Sequence, residues 1–172
     1  MAILNILTAP HPILAGRARD VRDDELGPAL EKLTSDMAET MYAAPGVGLA
    51  APQVGDARRI IVVDPGSGEN RGKTLMRMIN PTILERSQET IMWDETCLSV
   101  PEFEVEVERS KRVFVSWRTP TGEAMSQWFE DFPAVIVQHE LDHLVGTVLL
   151  DRVSRFRRQR WLARAKKPVA AR

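Results

Sequence analysis

Apolar residues recur at helical spacing in two parts of the chain. Four residues in the first part lie three or four positions apart, namely Leu30, Leu33, Met37 and Met41. Their spacing predicts an amphipathic helix over residues 24–42. In the second part, residues 134–145 are apolar on almost every side, between Pro133 and Gly146 and with Asp131 as an N-cap. Because a helix that is apolar all round is a buried one, we expect this second helix at the centre of the fold.

Between these helices the sequence shows the patterns of strands. Continuous apolar runs predict buried strands at residues 60–63 and 75–79, and period-2 alternation predicts half-buried strands around residues 105–117. Further strands are predicted at residues 125–129, after a Pro/Gly turn, and at residues 147–150. Strand runs and helices are grouped rather than alternating. The sequence therefore predicts an α+β fold, with antiparallel sheets around the buried helix and additional N-terminal and C-terminal helices.

Composition is that of an ordinary globular protein. The chain has 172 residues, of which 44% are hydrophobic and 27% charged, which is typical of one domain. It contains a single cysteine, Cys97, so no internal disulfide can form. No apolar run approaches the roughly 18 residues of a membrane span, and the first residues lack the basic region of a secretory signal. We expect a cytoplasmic protein with no membrane partner.

The net charge of −1 hides an uneven distribution. Residues 1–151 hold 14 basic and 24 acidic residues, a charge of −10, whereas residues 152–172 hold nine basic residues and no acidic one. We therefore divide the chain into a body, residues 1–151, and a basic C-terminal helix or tail, residues 152–172, which is part of the same domain or extends it. Such asymmetry is typical of proteins with an anionic partner.

The buried helix carries a pattern that indicates a metal site. His139 and His143 are one helical turn apart on the same face, where both imidazoles can reach one cation. Glu140 lies beside them and can accept a proton from water. Because buried ionisable groups need partners or a metal, we favour metal binding over a chance match on a solvated helix.

A catalytic zinc-type centre uses three protein ligands. Residue types alone do not identify which residue would be the third ligand beside His139 and His143. The metalloprotease motif H-E-x-x-H-x-x-G-x-x-H is not present, because Leu149 occupies the position of its third histidine. After His143 only Asp151 is acidic, and His11 lies far upstream between two prolines. Cys97 would suit a soft or borderline cation as a thiolate, but a buried inert thiol is a common alternative.

Three sequence motifs, in order, resemble those of the peptide deformylases. Residues 46–53 read G-V-G-L-A-A-P-Q, residues 95–99 read E-T-C-L-S and residues 138–146 read Q-H-E-L-D-H-L-V-G. The family patterns are G-x-G-L-A-A-x-Q, E-G-C-L-S and Q-H-E-x-D-H-L-x-G, and the family's size fits essentially the whole chain. The resemblance implies a metal-dependent hydrolase that removes the formyl group from the N-formylmethionine of nascent polypeptides and releases formate.

The resemblance also implies roles for individual residues. The metal ligands would be Cys97, His139 and His143, with Fe²⁺ as the metal and Zn²⁺, Ni²⁺ or Co²⁺ able to replace it. Glu140 would carry the proton from water to the departing amine. The side chain of Gln53 and the backbone N–H of Leu98 would stabilise the oxyanion.

Contact of Gly48 with the substrate is implied by the same match. The main chain of Gly48 would lie against the substrate, which a glycine permits. An apolar slot for the methionine side chain is predicted from positions along the helix. Val135 and Ile136 lie one turn before His139 on the site side, and Phe132 lies one further turn back. With Val47 and Trp93 they would line the slot, and the alternative for each is an ordinary core residue. Asp142 and Gln138 would hold the site in place, and Glu95 and Arg109 would form a structural ion pair.

Thr96 departs from the pattern, because the family usually has glycine there. A glycine can indicate a positive φ, which suits a β-branched residue poorly, or a lack of room for a side chain. We expect Thr96 to lie beside the bound peptide, with activity retained and peptide preference altered.

The basic tail is interpreted in two ways. If residues 154–167 are helical, Arg157, Arg160, Arg164 and Lys167 form one stripe, which can be an ordinary solvated face. The resemblance favours docking of this helix on the ribosome, through rRNA or proteins near the exit tunnel, with the salt sensitivity of phosphate contacts.

Two other functions stay open at this stage. One is an ordinary metalloprotease built on the same helix, which would cleave internal peptide bonds without releasing formate. The other is a non-catalytic metal-bound or RNA-binding module, which would have no need of Glu140 or Gln53.

Overall fold

Within residues 2–166, which the computed structural model describes, the chain forms four α-helices and seven strands. The helices are α1 (Pro12–Ala15), α2 (Pro28–Ala43), α3 (Phe132–Leu144) and α4 (Arg155–Ala165). The strands are β1 (Gly48–Ala50), β2 (Ile60–Val63), β3 (Met76–Arg86), β4 (Thr90–Cys97), β5 (Val100–Ser110), β6 (Arg112–Arg118) and β7 (Ala124–Glu130). No helix in this part of the chain is long and apolar enough to cross a membrane.

The strands form two antiparallel sheets. One has five strands in the order β1-β2-β3-β6-β7, and the other is the ribbon β4-β5. Hairpins link β4 to β5 and β6 to β7, as expected where short connections join consecutive antiparallel strands. Strands β5 and β6 are separated by Lys111 alone, but they belong to different sheets. The predicted combination of helices with antiparallel sheets is confirmed.

Helix α3 brings the third motif into contact with both sheets. It packs against β1, β2 and β7 of the large sheet and against β5 of the ribbon. Its buried residues include Ala134, Val135, Ile136, Val137 and Leu144. The helix begins with Pro133 in its first turn and Asp131 at the N-cap position, and it ends before Gly146, whose φ is +78°. The predicted start near Pro133 and stop at Gly146 are confirmed, but the Asp131 side chain makes no capping hydrogen bond, and the residue has a φ of +56°.

Two predicted boundaries are wrong by several residues. The first long helix begins at Pro28 rather than residue 24, because residues 23–25 form a separate 3-10 turn and Gly27 has a φ of +119°. Strand β3 continues beyond residue 79 as far as Arg86. It does so through a bulge at residues 80–81, where Asn80 has a φ of +51° and binds the main chain of Val21. A bulge is one of the few places where a strand accommodates a proline.

One predicted strand does not form, and two strands of the structure, the three-residue β1 and β4, were not predicted. Residues 149–152 form a 3-10 turn instead of part of a strand, and the Val148 N–H donates to Asp151 Oδ2 at 2.9 Å. This local bond offers the backbone an alternative to a sheet ladder. Strand β4 was missed because its exposed face mixes Met92 with polar residues, which obscures the alternation.

Helix α4 is attached to the body rather than free in solvent. Trp161 is 7% exposed, and its indole N–H donates to the Pro101 carbonyl at 2.9 Å. Arg157 donates to the Glu104 carbonyl and lies 4.9 Å above the ring of Phe103. The N-cap is Ser154, whose hydroxyl accepts from the Arg157 N–H. Lys167, which we expected on the basic stripe, lies outside the described residues.

Candidate active site

A cavity of about 540 Å³ lies between the β1 segment, β4 and α3. Every residue predicted to act on or bind substrate lines it: Val47, Gly48, Gln53, Trp93, Thr96, Leu98, Phe132, Val135, Ile136 and Glu140. Cys97 and His139 also line the cavity, and His143 is buried beside them. The fold thus brings three distant motifs to one place.

Cys97, His139 and His143 form a group that fits a divalent cation. One donor atom from each lies within 4.8 Å of the others. The Cys97 Sγ to His143 Nε2 distance is 3.3 Å, close to the roughly 3.5 Å that tetrahedral zinc with ordinary bond lengths sets between sulfur and nitrogen ligands. Two histidines and a cysteine suit borderline metals such as Fe²⁺ and Zn²⁺.

The electrostatics favour the ligand form of the cysteine. Burial opposes ionisation, but the neighbouring His143 and His139 outweigh it and hold the pKa of Cys97 well below its ordinary value. The thiolate is the form that binds metals. His139 Nδ1 lies 3.3 Å from Glu95 Oε1, an arrangement that fixes the imidazole and leaves Nε2 as a ligand atom.

Glu140 is enclosed, and one of its oxygens has no protein partner. The residue is 4% exposed, and within the described part of the chain Oε2 accepts no hydrogen bond. Burial raises the pKa of Glu140 to about 7, near the value that suits proton transfer at neutral pH. Gly48 lies directly against it, because a Cβ on Gly48 would be 2.3 Å from Glu140 Oε1. This close approach explains the glycine.

Gln53 is held by two hydrogen bonds that orient its amide. Its Oε1 accepts from the Ala50 N–H at 2.8 Å, and its Nε2 donates to Ser99 Oγ at 3.1 Å. The amide nitrogen is therefore directed toward Cys97, whose sulfur is 3.7 Å away. Ser99 was not predicted as a partner of Gln53, although it belongs to the second motif, which could have indicated it.

The apolar part of the cavity contains an aromatic pair. The rings of Trp93 and Phe132 are stacked, with centroids 5.1 Å apart. Val135 and Ile136 on α3 and Val47 opposite them complete the lining. These side chains are suited to a flexible apolar group such as a methionine side chain.

Thr96 lies in an ordinary strand conformation. It pairs with Glu104 across the ribbon, and it is not among the described non-glycine residues with positive φ. Its side chain is exposed at the cavity wall. Of the two reasons for a glycine at this position, the structure therefore excludes positive φ and leaves side-chain bulk.

An ion-pair network contacts His139, one of the predicted metal ligands, through Glu95. The buried Arg109 is 2.9 Å from Glu95 and 2.8 Å from Asp142, and Asp142 also binds Arg152 at 2.5 Å. Gln138 is fixed by the main chain of Ser110, through bonds of 3.1 Å and 2.8 Å. The expected pair Glu95–Arg109 is present. Two further contacts were not predicted: Asp142 is a second partner of Arg109, and Glu95 is a partner of His139.

Comparison with known proteins identifies a family. Residues 3–159 match the polypeptide deformylase family. A peptide deformylase of Desulfotalea psychrophila is 43% identical, with 97% of each chain covered, and one of Phenylobacterium zucineum is 43% identical, with 99% of each covered. The solved structure of peptide deformylase from Ehrlichia chaffeensis in complex with actinonin superposes with a TM-score of 0.89 at 35% identity, covering 99% of this chain and all of the other.

Proposed function

Because the chain belongs to the polypeptide deformylase family, we propose how its own residues perform the family's reaction. It is a metal-dependent hydrolase that removes the formyl group from the N-formylmethionine of nascent polypeptides, with release of formate. The observation that carries the assignment of residues is the single cavity that holds the Cys97/His139/His143 group together with Glu140 and Gln53.

Cys97, His139 and His143 would hold the metal, which we propose to be Fe²⁺, with Zn²⁺, Ni²⁺ or Co²⁺ accepted by the same donors. A divalent cation bound there lowers the pKa of water toward neutrality and so supplies a nucleophile at pH 7. Glu95 keeps His139 oriented, and Arg109 keeps Glu95 in place.

The formylmethionine side chain would occupy the slot between the Trp93–Phe132 stack and Val135. The peptide main chain would then run between Gly48 and β4, next to Thr96. A similar solved structure, that of a peptide deformylase from Acinetobacter baumannii, is bound to Met-Ala-Ser, which supports a methionine-containing peptide as the kind of ligand for this chain.

Proton transfer would be carried by Glu140. Its unpartnered Oε2 can accept the proton of the attacking water, and its raised pKa allows it to release that proton to the departing amine. Gln53 Nε2 and the Leu98 N–H would donate to the formyl oxygen as it gains negative charge. Ser99 limits the rotation of the Gln53 amide, so this donor is oriented before substrate arrives.

The proposed organisation assigns separate tasks to parts of one domain. Helix α3 acts as the central element against which both sheets pack, residues 1–151 form the catalytic body, and residues 152–172 extend it. Packing of Trp161 against the body supports α4 as part of the same domain. Since the substrate is a nascent chain, the extension would dock on the ribosome through its arginines, in the cytoplasm.

A formate-release assay tests this function. The protein is purified anaerobically with Fe²⁺ and incubated with formyl-Met-Ala-Ser and, in parallel, with acetyl-Met-Ala-Ser. We expect formate and a free amine from the first peptide and no reaction with the second. Cleavage of internal peptide bonds without formate would instead indicate a protease.

A further inference from the structure

We propose that Arg71 is a positioning residue for substrate binding, because it fixes the main chain of residues 46–48, which we term the wall segment. The inference rests on the proposed function, since the wall segment lines the cavity assigned to the peptide. Arg71 itself does not line that cavity and belongs to none of the three motifs.

The wall segment fits tightly against the side chains of Leu98 and Glu140, two residues assigned to catalysis. A Cβ on Gly46 would lie 2.9 Å from Leu98 Cδ1, and a Cβ on Gly48 would lie 2.3 Å from Glu140 Oε1. A shift of this main chain by a few tenths of an ångström therefore changes its contact with both groups. Packed interiors transmit such shifts rather than absorb them.

The wall segment contributes to the lining of two cavities. The second cavity, of about 530 Å³, is bordered by Pro45 and Val47, which also border the substrate cavity, and by Tyr42 and Arg71. Sheet pairing holds Gly48 to Val63, and the Asp64 N–H donates to the Val47 carbonyl at 2.9 Å. At the other end, the Gly46 carbonyl accepts a hydrogen bond from Arg71 Nη2.

Arg71 is itself held rigidly, which a positioning residue requires. Its Nη1 donates to the Asp64 carbonyl at 3.0 Å, and its guanidinium group lies 4.7 Å from the centroid of the Tyr42 ring. The Tyr42 hydroxyl donates to Asp64 Oδ2 at 2.8 Å, and the completely buried Asp64 carboxylate also accepts from the Gly72 N–H at 2.7 Å. The guanidinium thus joins the loop at residues 64–72 to the wall segment.

Loss of the hydrogen bond from Arg71 to the Gly46 carbonyl should weaken peptide binding more than it slows the chemical step. The metal ligands and Gln53 are held by other elements, whereas the main-chain surface offered to the peptide depends on the wall segment. An interaction that contributes equally to bound substrate and transition state appears in KM. For Arg71→Ala we expect KM for formyl-Met-Ala-Ser to rise about tenfold and kcat to change less than about threefold, the size expected for losing one hydrogen bond to a charged group.

The experiment compares Arg71→Ala with a matched control, Arg118→Ala, in the Fe²⁺-loaded full-length protein. Arg118 also donates to a glycine carbonyl, that of Gly122 at 3.3 Å, but in a turn outside the substrate cavity. KM is measured well below the melting temperature, where it does not depend on the folded fraction, and metal content is measured for each variant. Guanidinium at low millimolar concentration is then added, and we expect it to lower KM of Arg71→Ala alone.

Three results would overturn the proposal: an unchanged KM in Arg71→Ala, an equal rise in Arg118→Ala, or a KM that guanidinium does not restore. Arg71→Lys provides a second variant if the alanine protein is unstable. It retains the charge but can make only part of the contact, so its KM should lie between those of the wild type and the alanine variant. Absence of formate release by the wild-type enzyme would refute the proposed function instead.

Discussion

The Glu140 carboxyl owes its properties to its neighbours more than to its residue type. It is enclosed by the Gly48 main chain and the imidazoles of α3, with one oxygen left without a protein partner. A carboxylate in solution would have its ordinary pKa, whereas burial here raises the pKa to about 7. The position of a single glycine therefore affects the chemistry, because only a residue without a side chain leaves this space for Glu140.

Replacement of Glu140 by glutamine tests its role as the proton carrier. Because glutamine preserves shape but cannot accept and return the proton, we expect kcat to fall by about 10²–10⁴-fold while the metal is retained. Formate release and metal analysis measure the two quantities. Glu69→Gln, on an exposed turn, is the control and should behave as wild type. Substantial turnover by the Glu140 variant would contradict the assignment.

Thr96 offers a second test at the residue scale. Because its backbone is that of a normal strand, restoring the family's glycine relieves no backbone strain. We expect Thr96→Gly to change kcat/KM on formyl-Met peptides by less than about tenfold, with the effect depending on the residue after methionine. Thr90→Gly, at the distant end of the same strand, controls for weakening of β4. A gain of about 100-fold or more would show that Thr96 impairs the site.

At the scale of elements, the site depends on how α3 ends as well as on how it begins. Gly146 follows the helix with a φ of +78°, and the Leu144 carbonyl accepts from the Ala18 N–H at 2.9 Å. A Cβ on Gly146 would lie 2.5 Å from the Ala15 carbonyl oxygen. The glycine of the third motif therefore has a structural reason: it lets the segment after α1 pack against the end of the metal-binding helix.

A pair of alanine substitutions separates this packing from backbone strain. Gly72 has a similar φ, +87°, but nothing lies within 4 Å of its missing Cβ. Gly146→Ala should lower the free energy of unfolding by about 1–3 kcal/mol more than Gly72→Ala, which is the usual cost of overpacking. Urea denaturation of the metal-loaded proteins measures the difference. Equal losses would show that the contact with Ala15 is relieved without cost.

At the scale of the whole molecule, charge is divided between the body and α4. The arginines of α4 are not equivalent, because Arg157 binds the main chain of β5 and Arg158 pairs with Asp151 at 3.0 Å. Arg155, Arg160 and Arg164 are exposed. The surface available to an anionic partner therefore consists of fewer arginines than the sequence count suggests.

Neutralising the exposed arginines tests ribosome docking without removing Trp161 from the core. We expect Arg155→Gln/Arg160→Gln/Arg164→Gln to weaken ribosome binding and to reduce the slope of log affinity against log salt by about 2–3, if each contacts one phosphate. Co-sedimentation at several salt concentrations measures both. The control removes three charges from the body, by Arg22→Gln/Lys32→Gln/Lys73→Gln, and should retain most of the binding. Unchanged affinity of the α4 variant would reject the proposal.

Much of the architecture could be predicted because it depends on neighbouring residues. The helical spacing of His139 and His143, the apolar run of β2 and the ends of α3 are local properties, and the structure has them where expected. Predictions failed where a local bond competed with periodicity, as at Asp151, or where a bulge let a strand pass a proline, as at Asn80. Neither outcome follows from the order of apolar and polar residues.

The sequence by itself determined the family, the donor types and the division of charge, since motifs and composition are properties of the chain in any conformation. Only the tertiary structure decided which distant groups meet. Three contacts join residues that are far apart in the sequence. Cys97 and His143 are separated by 46 positions, and Gln53 and Ser99 are also separated by 46. Gly46 and Arg71 are separated by 25. These contacts depend on how both sheets pack against α3, and the same packing sets the burial that raises the pKa of Glu140. Periodicity along the chain contains no such information, because packing is a property of all the elements together.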